Sequence, residues 1–285
     1  MAGQRYPRRG WEWPNGAKLA ISVNLALEAF ERQSQYATRP PSKDPDPFSL
    51  SYAEYGARSG AWRLMDLLDE FGLKSSCSTN GKAAQMYPEV VRAFADAGHE
   101  IVGHAWVNDE LATEEGASAE QAMIARCTDE LTKAAGVAPV GWTSPGSAGS
   151  SKTMEYLRAA GYLWNGDVGN DDLPWVQDTP AGSIVMMPRT NLPHNDLPMW
   201  LRHSNPGSVI MENWKDTVTE LLAEGAAGSP KWTEITIHCH IGGRPTLIPT
   251  IRRCLEFARR DDVWFGRKRD IAAWSLERIR GGSGG

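Results

Sequence analysis

What most constrains the fold of this chain is a repeated alternation: short β-branched apolar runs, each followed by a segment with a helical apolar stripe and then a glycine. Lys18 to Leu27 follows the turn signal Pro14-Asn15-Gly16 and reads as a buried first strand. Gly60 to Phe71 places Ala61, Leu64, Met65, Leu67, Leu68 and Phe71 on one broad helical stripe, and Gly72 follows as a C-cap. Strands are expected at 74–79, 100–103, 141–142, 162–164, 183–187, 234–238 and 263–265. Helices are expected at 87–97 with Pro88 in the first turn, at 118–135 with Ser118 and Gln121 spaced as a capping box, and at 151–160, 214–226 and 247–259. Strands separated by single helices require right-handed parallel crossovers, and this many of them predicts an α/β fold that closes toward a barrel.

The chain has 285 residues, enough for one sizeable core, and residues 1–280 read as a single catalytic domain. The closing Gly-Gly-Ser-Gly-Gly at 281–285 reads as an appended linker. A net charge of −5 with dispersed Lys and Arg argues against a nucleic-acid partner. No stretch approaches the roughly 20 apolar residues of a membrane span, and the polar start lacks an apolar export segment, so a cytoplasmic protein without a membrane partner is expected. Cys77, Cys127, Cys239 and Cys254 are far apart in sequence and read as reduced thiols. The Pro-rich stretch at 39–47 reads as a lid, a subunit arm or a surface excursion.

In a parallel barrel, chemistry sits where strands end and loops begin. Polar residues gather at those points: Glu28, Asn80, His104, Ser144, Asp167, Asp171-Asp172, Asn191 to Asp196, His238 and His240. Three of six histidines at two strand ends, with a carboxylate at a third, point to a hydrolase that binds a metal or positions a water. His99 sits at the opposite end of its strand and reads as structural, and His203 as solvent-exposed.

The ordered segments WPNGAKLAISVN, YGARSGAWRLMDLLDEFGLKSS, YPEVVRAFADAGHEIVGHAW, GWTSPG, NDDLPW, NDLP and IHCHIGGRP resemble the polysaccharide-deacetylase (NodB-homology) superfamily from about residue 5 to 280. They are most similar to its branch of allantoinases, cyclic imide hydrolases and peptidoglycan-deacetylase-like proteins. The resemblance implies a distorted (β/α)7 barrel of the NodB-homology type and hydrolysis of a non-peptide amide C–N bond by an activated water. It sets Glu28 at the first-motif carboxylate, His104 at the first metal-ligand histidine and His238 at the general acid, and it suggests a homo-oligomer, dimer or tetramer. Polysaccharide deacetylases carry a second histidine four residues after the first, where this chain has Asn108. They have an Asp-Asp pair where it has Leu27-Glu28, and an arginine where it has Thr143.

Two arrangements are open. In one, Glu28 and His104 ligate Zn²⁺ or another divalent metal, with Asn108 or His240 completing the set. In the other, Glu28 is a general base whose pKa burial has raised, and His238 protonates the leaving nitrogen. Trp106, Trp142, Trp164 and Trp175 are expected to cage a small planar ring. Ser144, Asp171, Asp172, Asn195 and Asp196 are expected to contact the substrate. A small cyclic amide, imide or ureide is the expected substrate class. The alternatives are an N-deacetylase of an acetylated sugar or amine, and a non-catalytic binding protein on the same fold.

Overall fold

The computed structural model describes residues 10–37, 39–110, 115–190 and 192–282. Its centre is β1 (Leu19–Leu27), which pairs in parallel with β2 (Ser76–Thr79) on one side and β8 (Lys231–His238) on the other. Beyond β2 come β3 (Glu100–Gly103), β4 (Gly141–Trp142), β5 (Trp164–Asn165) and β7 (Gly182–Met186), all parallel. The sheet curls so that Asn195, after β7, bridges Thr236 on β8. The seven parallel strands make a half-open barrel. Two additions lie outside the alternation: β6 (Trp175–Thr179) forms an antiparallel hairpin with β7, and β9 (Val263–Phe265) pairs with the first residues of β1.

Because side chains alternate along a strand, each strand has one face toward the helices and one toward the barrel axis. On β1 the odd positions Leu19, Ile21, Val23, Leu25 and Leu27 join the core beneath the helices, whereas Ala20 packs with Val102, Trp164 and Trp232 inside the lower barrel. The same parity sends Asn24, Ala26 and Glu28 into a cleft at the upper end, together with Ser78, Thr236 and His238. Between the apolar floor and the cleft lies a polar layer, where Lys268 Nζ is 2.5 Å from Glu234 Oε2 and donates to Asn24 Oδ1.

The helices follow their apolar stripes. They are α1 (Pro47–Tyr55), α2 (Ala61–Phe71), α3 (Gly81–Met86), α4 (Pro88–Asp96), α5 (Ala117–Ala135), α6 (Thr153–Ala159), α7 (Gly207–Ala226), α8 (Ile248–Ala258) and α9 (Lys268–Gly282). Gly72 caps α2 in the left-handed conformation at φ 66°, as expected. The capping box expected at Ser118 does not form: Gly116 occupies the N-cap position of α5 with no side-chain cap. The Pro-rich stretch leads into a helix, because Asp46 accepts hydrogen bonds from the backbone N–H of Phe48 and Ser49 and so starts α1. A π-turn, Gly56–Gly60, links α1 to α2 and lies against the chain that leaves β8. A Cβ at Gly60 would stand 1.9 Å from the Cys239 carbonyl oxygen, so only glycine allows this approach. All four cysteines are buried free thiols. Among the described residues no helix is long and apolar enough to cross a membrane. The helix α9 enters the expected linker as far as Gly282.

Candidate active site

The cleft has a volume of about 770 Å³ and is lined by the upper ends of the parallel strands and their loops. On its floor Glu28 Oε1 stands 3.4 Å from His104 Nε2 and 3.6 Å from His238 Nε2, with all three side chains buried. The two imidazoles therefore approach one carboxylate oxygen, from β3 and from β8.

Each of the three is fixed from behind. His104 Nδ1 donates to the Thr143 carbonyl, which fixes the ring and turns Nε2 toward the cleft. The residue after it, Ala105, has φ 56°, a strained value of the sort that accumulates at functional sites. Asn80 secures the same corner: its carbonyl oxygen accepts the Ala29 N–H at 2.9 Å and its amide donates to the His104 carbonyl. His238 Nδ1 meets Asp196 Oδ1 at 2.6 Å, while Asp196 Oδ2 accepts the backbone N–H of His238 and of Gly242 at 2.8 and 2.7 Å. The other oxygen of Glu28, Oε2, accepts from Gln35 Nε2 at 2.7 Å. The Gln35 carbonyl oxygen in turn accepts from His240 Nε2 at 3.0 Å.

The electrostatics correct one expectation. Burial by itself would push the Glu28 carboxyl up, but His238, His104 and His240 outweigh it and hold the group well below the usual carboxylate range. For His238 the balance is reversed: burial favours the neutral ring, the carboxylates of Glu28 and Asp196 favour the cation, and the net shift is upward. Burial, with help from the neighbouring His238 and Arg244 charges, drives His240 down to about 3, so it is a neutral donor to Gln35. The two shifts work together, favouring an ionised carboxylate that faces a protonated imidazole.

Of the four expected metal ligands, Glu28 and His104 meet, and the side-chain oxygen of Asn108 is buried in the same cleft wall without a hydrogen-bond partner among the described residues. His240 does not join them, because its Nε2 is committed to Gln35 and its ring packs edge-on against Phe30 and Tyr52. One carboxylate, one imidazole and one neutral amide oxygen fall short of the three anionic or imidazole ligands of catalytic zinc centres. Among the described residues no group of three His, Cys, Asp or Glu side chains is arranged to hold an ion. The four ligands expected from the sequence therefore do not all come together at one point.

The expected aromatic cage is also absent from the cleft. Trp142 and Trp164 are wholly buried and bond to Ser144 and Glu100. Trp106 lies under the Arg126 guanidinium, and Trp175 reaches Asn170. Trp142 and Trp164 fill the core beside the strand ends, Trp106 and Trp175 are partly buried outside the cleft, and Phe30 lines it. Ser144 is likewise taken, by both oxygens of Asp167. Asp171 caps its own turn, and Asp172 is exposed away from the cleft. Asn195 lines the cleft but accepts the Leu197 N–H, and Asp196 orients His238 from outside the cleft. Asn191 lies outside the described residues. His99 accepts from the backbone N–H of Ser75, and His203 is exposed, both as read from sequence.

The sequence reading missed Gln35, Asp109, Arg189 and Arg202, which line the cleft from loops. No periodic signal marks a loop residue. Asp109 alone carried a hint, being a carboxylate five residues beyond His104. Its oxygens accept the backbone N–H groups of Glu31, Arg32 and Gln33 and so pin the loop that delivers Gln35.

The family model for polysaccharide deacetylases matches residues 44–164. A Schizosaccharomyces pombe protein assigned by name to the polysaccharide deacetylases is 28% identical over 93% of this chain and 92% of its own length. The crystal structure of PuuE allantoinase superposes with a TM-score of 0.82 at 28% identity, covering 94% of this chain and 93% of that one. A Pseudomonas aeruginosa structure assigned to the polysaccharide deacetylases gives a TM-score of 0.83 at 28% identity over 96% and 95%. In fold and ordered motifs the chain is thus similar to polysaccharide deacetylases and to an allantoinase over nearly its whole length.

Proposed function

We propose that the protein opens a small cyclic amide, imide or ureide by attack of a water activated at Glu28. The observation that carries this reading is the buried Glu28 carboxylate facing two imidazole nitrogens at 3.4 and 3.6 Å on the floor of a cleft of about 770 Å³. That volume suits a small molecule rather than an extended chain. The full-length similarity to an allantoinase supports the substrate class.

The reaction needs two proton movements. A water between Glu28 Oε1 and the His104 Nε2 lone pair gives one proton to the carboxylate as its oxygen attacks the ring carbonyl carbon. The tetrahedral intermediate collapses as protonated His238 hands its Nε2 proton to the ring nitrogen, and the C–N bond breaks. The product carries a carboxyl group and, on the same molecule, the released nitrogen as an amine, amide or urea; the carboxyl proton passes to solvent, and the proton on Glu28 returns to His238. Asp196 holds the His238 ring and stabilises its charge, while Gln35 fixes the carboxylate plane.

Glu28→Gln is expected to lower turnover of hydantoin, succinimide or allantoin by about 10² to 10⁴-fold with an unchanged melting curve; a fully active variant would remove Glu28 from the chemistry. Turnover is expected to persist after exhaustive dialysis against a chelator. Loss that zinc restores would return Glu28 and His104 to a metal-holding role.

The names of the S. pombe relative and of the family favour a second reading, N-deacetylation of an acetylated sugar or amine by the same residues. Including N-acetylglucosamine in the substrate panel decides between the two.

A further inference from the structure

Three carboxylates line the cleft, and each is already matched. Glu28 faces His104 and His238 and accepts from Gln35. Asp109 accepts three backbone N–H groups. Asp167 accepts the Ser144 N–H and hydroxyl, each at 2.7 Å, and the Asn165 amide at 2.9 Å. The two arginines of the same wall are different. Arg189, half-buried, and Arg202, exposed at the rim, have no side-chain hydrogen bond or ion pair among the described residues. Arg189 is close enough for its charge to act on His238. A protein with a net charge of −5 thus presents unmatched positive charge in its reaction cleft.

A half-buried guanidinium with no counter-charge bears a desolvation cost that an anion would relieve, and its planar fork matches a carboxylate in two-point fashion. We propose that the substrate carries a carboxylate, taken by Arg189 with Arg202 at the cleft mouth, and that this anion orients the scissile amide toward Glu28 and His238. The proposal rests on the ring-opening reading for the identity of the scissile bond, but not for the anion site.

Two compounds sharing one ring test it: hydantoin-5-acetic acid, which carries the carboxylate, and 5-methylhydantoin, which does not. Binding is measured by calorimetry and turnover by product formation, for the wild type, Arg189→Gln, Arg189→Lys and Arg202→Gln. The acid is expected to bind the wild type at least about tenfold more tightly than the methyl compound, the range of one charge-assisted contact. That ratio should fall toward one in Arg189→Gln and be partly kept in Arg189→Lys. Arg202→Gln, whose exposed side chain leaves the fold out of question, should lower it about threefold. Preferential, arginine-dependent binding of the acid without turnover would support the anion site and reject ring opening. Turnover of both rings with equal affinity would reject the anion site and leave ring opening standing. Absence of binding by either compound, or a preference that survives both glutamine substitutions, would also overturn the anion site.

Discussion

The chemistry of the site depends on what stands behind each reacting atom. His238 owes its raised pKa to two carboxylates that outweigh burial, one of them Asp196 at 2.6 Å. A raised pKa means that the acid form is complete below the ordinary value of 6.5 and persists above it, being lost only as pH rises through the shifted value. Glu28, shifted the other way, stays ionised below the usual carboxylate range. Turnover should therefore be flat through mildly acidic pH and decline on the alkaline side. In Asp196→Asn that alkaline decline should move to lower pH in a profile of kcat/KM, and an unmoved limb would show that Asp196 does not set the acid. Gln35→Leu leaves Glu28 Oε2 and His240 Nε2 without their shared partner. It is expected to lower kcat by about 10- to 100-fold, with a smaller effect on KM, since the loss is of orientation. A change confined to KM would place Gln35 in substrate binding instead.

At the level of elements, the parity of the strands decides which residues reach the cleft. Along β1, β2, β3 and β8 the even-numbered residues face inward, so Glu28, Asn80, His104 and His238 stand on the inward parity at the ends of four strands. The π-turn that packs on the chain leaving β8 keeps His238 and His240 in register. Gly60→Ala would drive a methyl group into the Cys239 carbonyl and should cost about 1–3 kcal/mol while lowering turnover. Gly72→Ala, at φ 66° with open space around it, should cost about 1 kcal/mol from backbone strain and leave turnover intact. Thermal melting and activity measured side by side separate the two. Equal effects on activity would detach the π-turn from the site.

For the whole molecule, closure of the barrel from below brings a buried ion pair with it. Lys268, the first residue of α9, inserts under the cleft to meet Glu234 on β8 and Asn24 on β1, and its own N–H donates to Ser76 on β2. Three neighbouring strands and the last helix are thereby tied at one point. Removing one partner strands a charge in the interior, so Lys268→Met should cost about 3–5 kcal/mol in denaturant unfolding. Adding Glu234→Leu should recover much of that loss. A double variant no more stable than the single one would show that the pair is not the source of the cost.

The sequence by itself determined the parallel strand–helix alternation, the strand ends as the place of chemistry, and Glu28, His104 and His238 as residues that belong together. These are local signals: a period of two in strands, a period near 3.6 in helices, and polar residues where an apolar run stops. The antiparallel β6, the short α3 and the closing α9 carry weak periodicity and were not legible in that way. Only the tertiary structure could decide the rest, because it depends on which distant side chains meet. Trp142 and Trp164 sit beside strand ends in the chain yet point into the core, where their large apolar area is buried. His240 is two residues from His238 but is turned onto Gln35, some 200 residues away in sequence, as the chain leaves β8. Asp196 became the partner of His238, and Arg189 a lining residue of the cleft, through curling of the sheet. Contacts made by closure depend on the path of the whole chain, and no window of residues contains them.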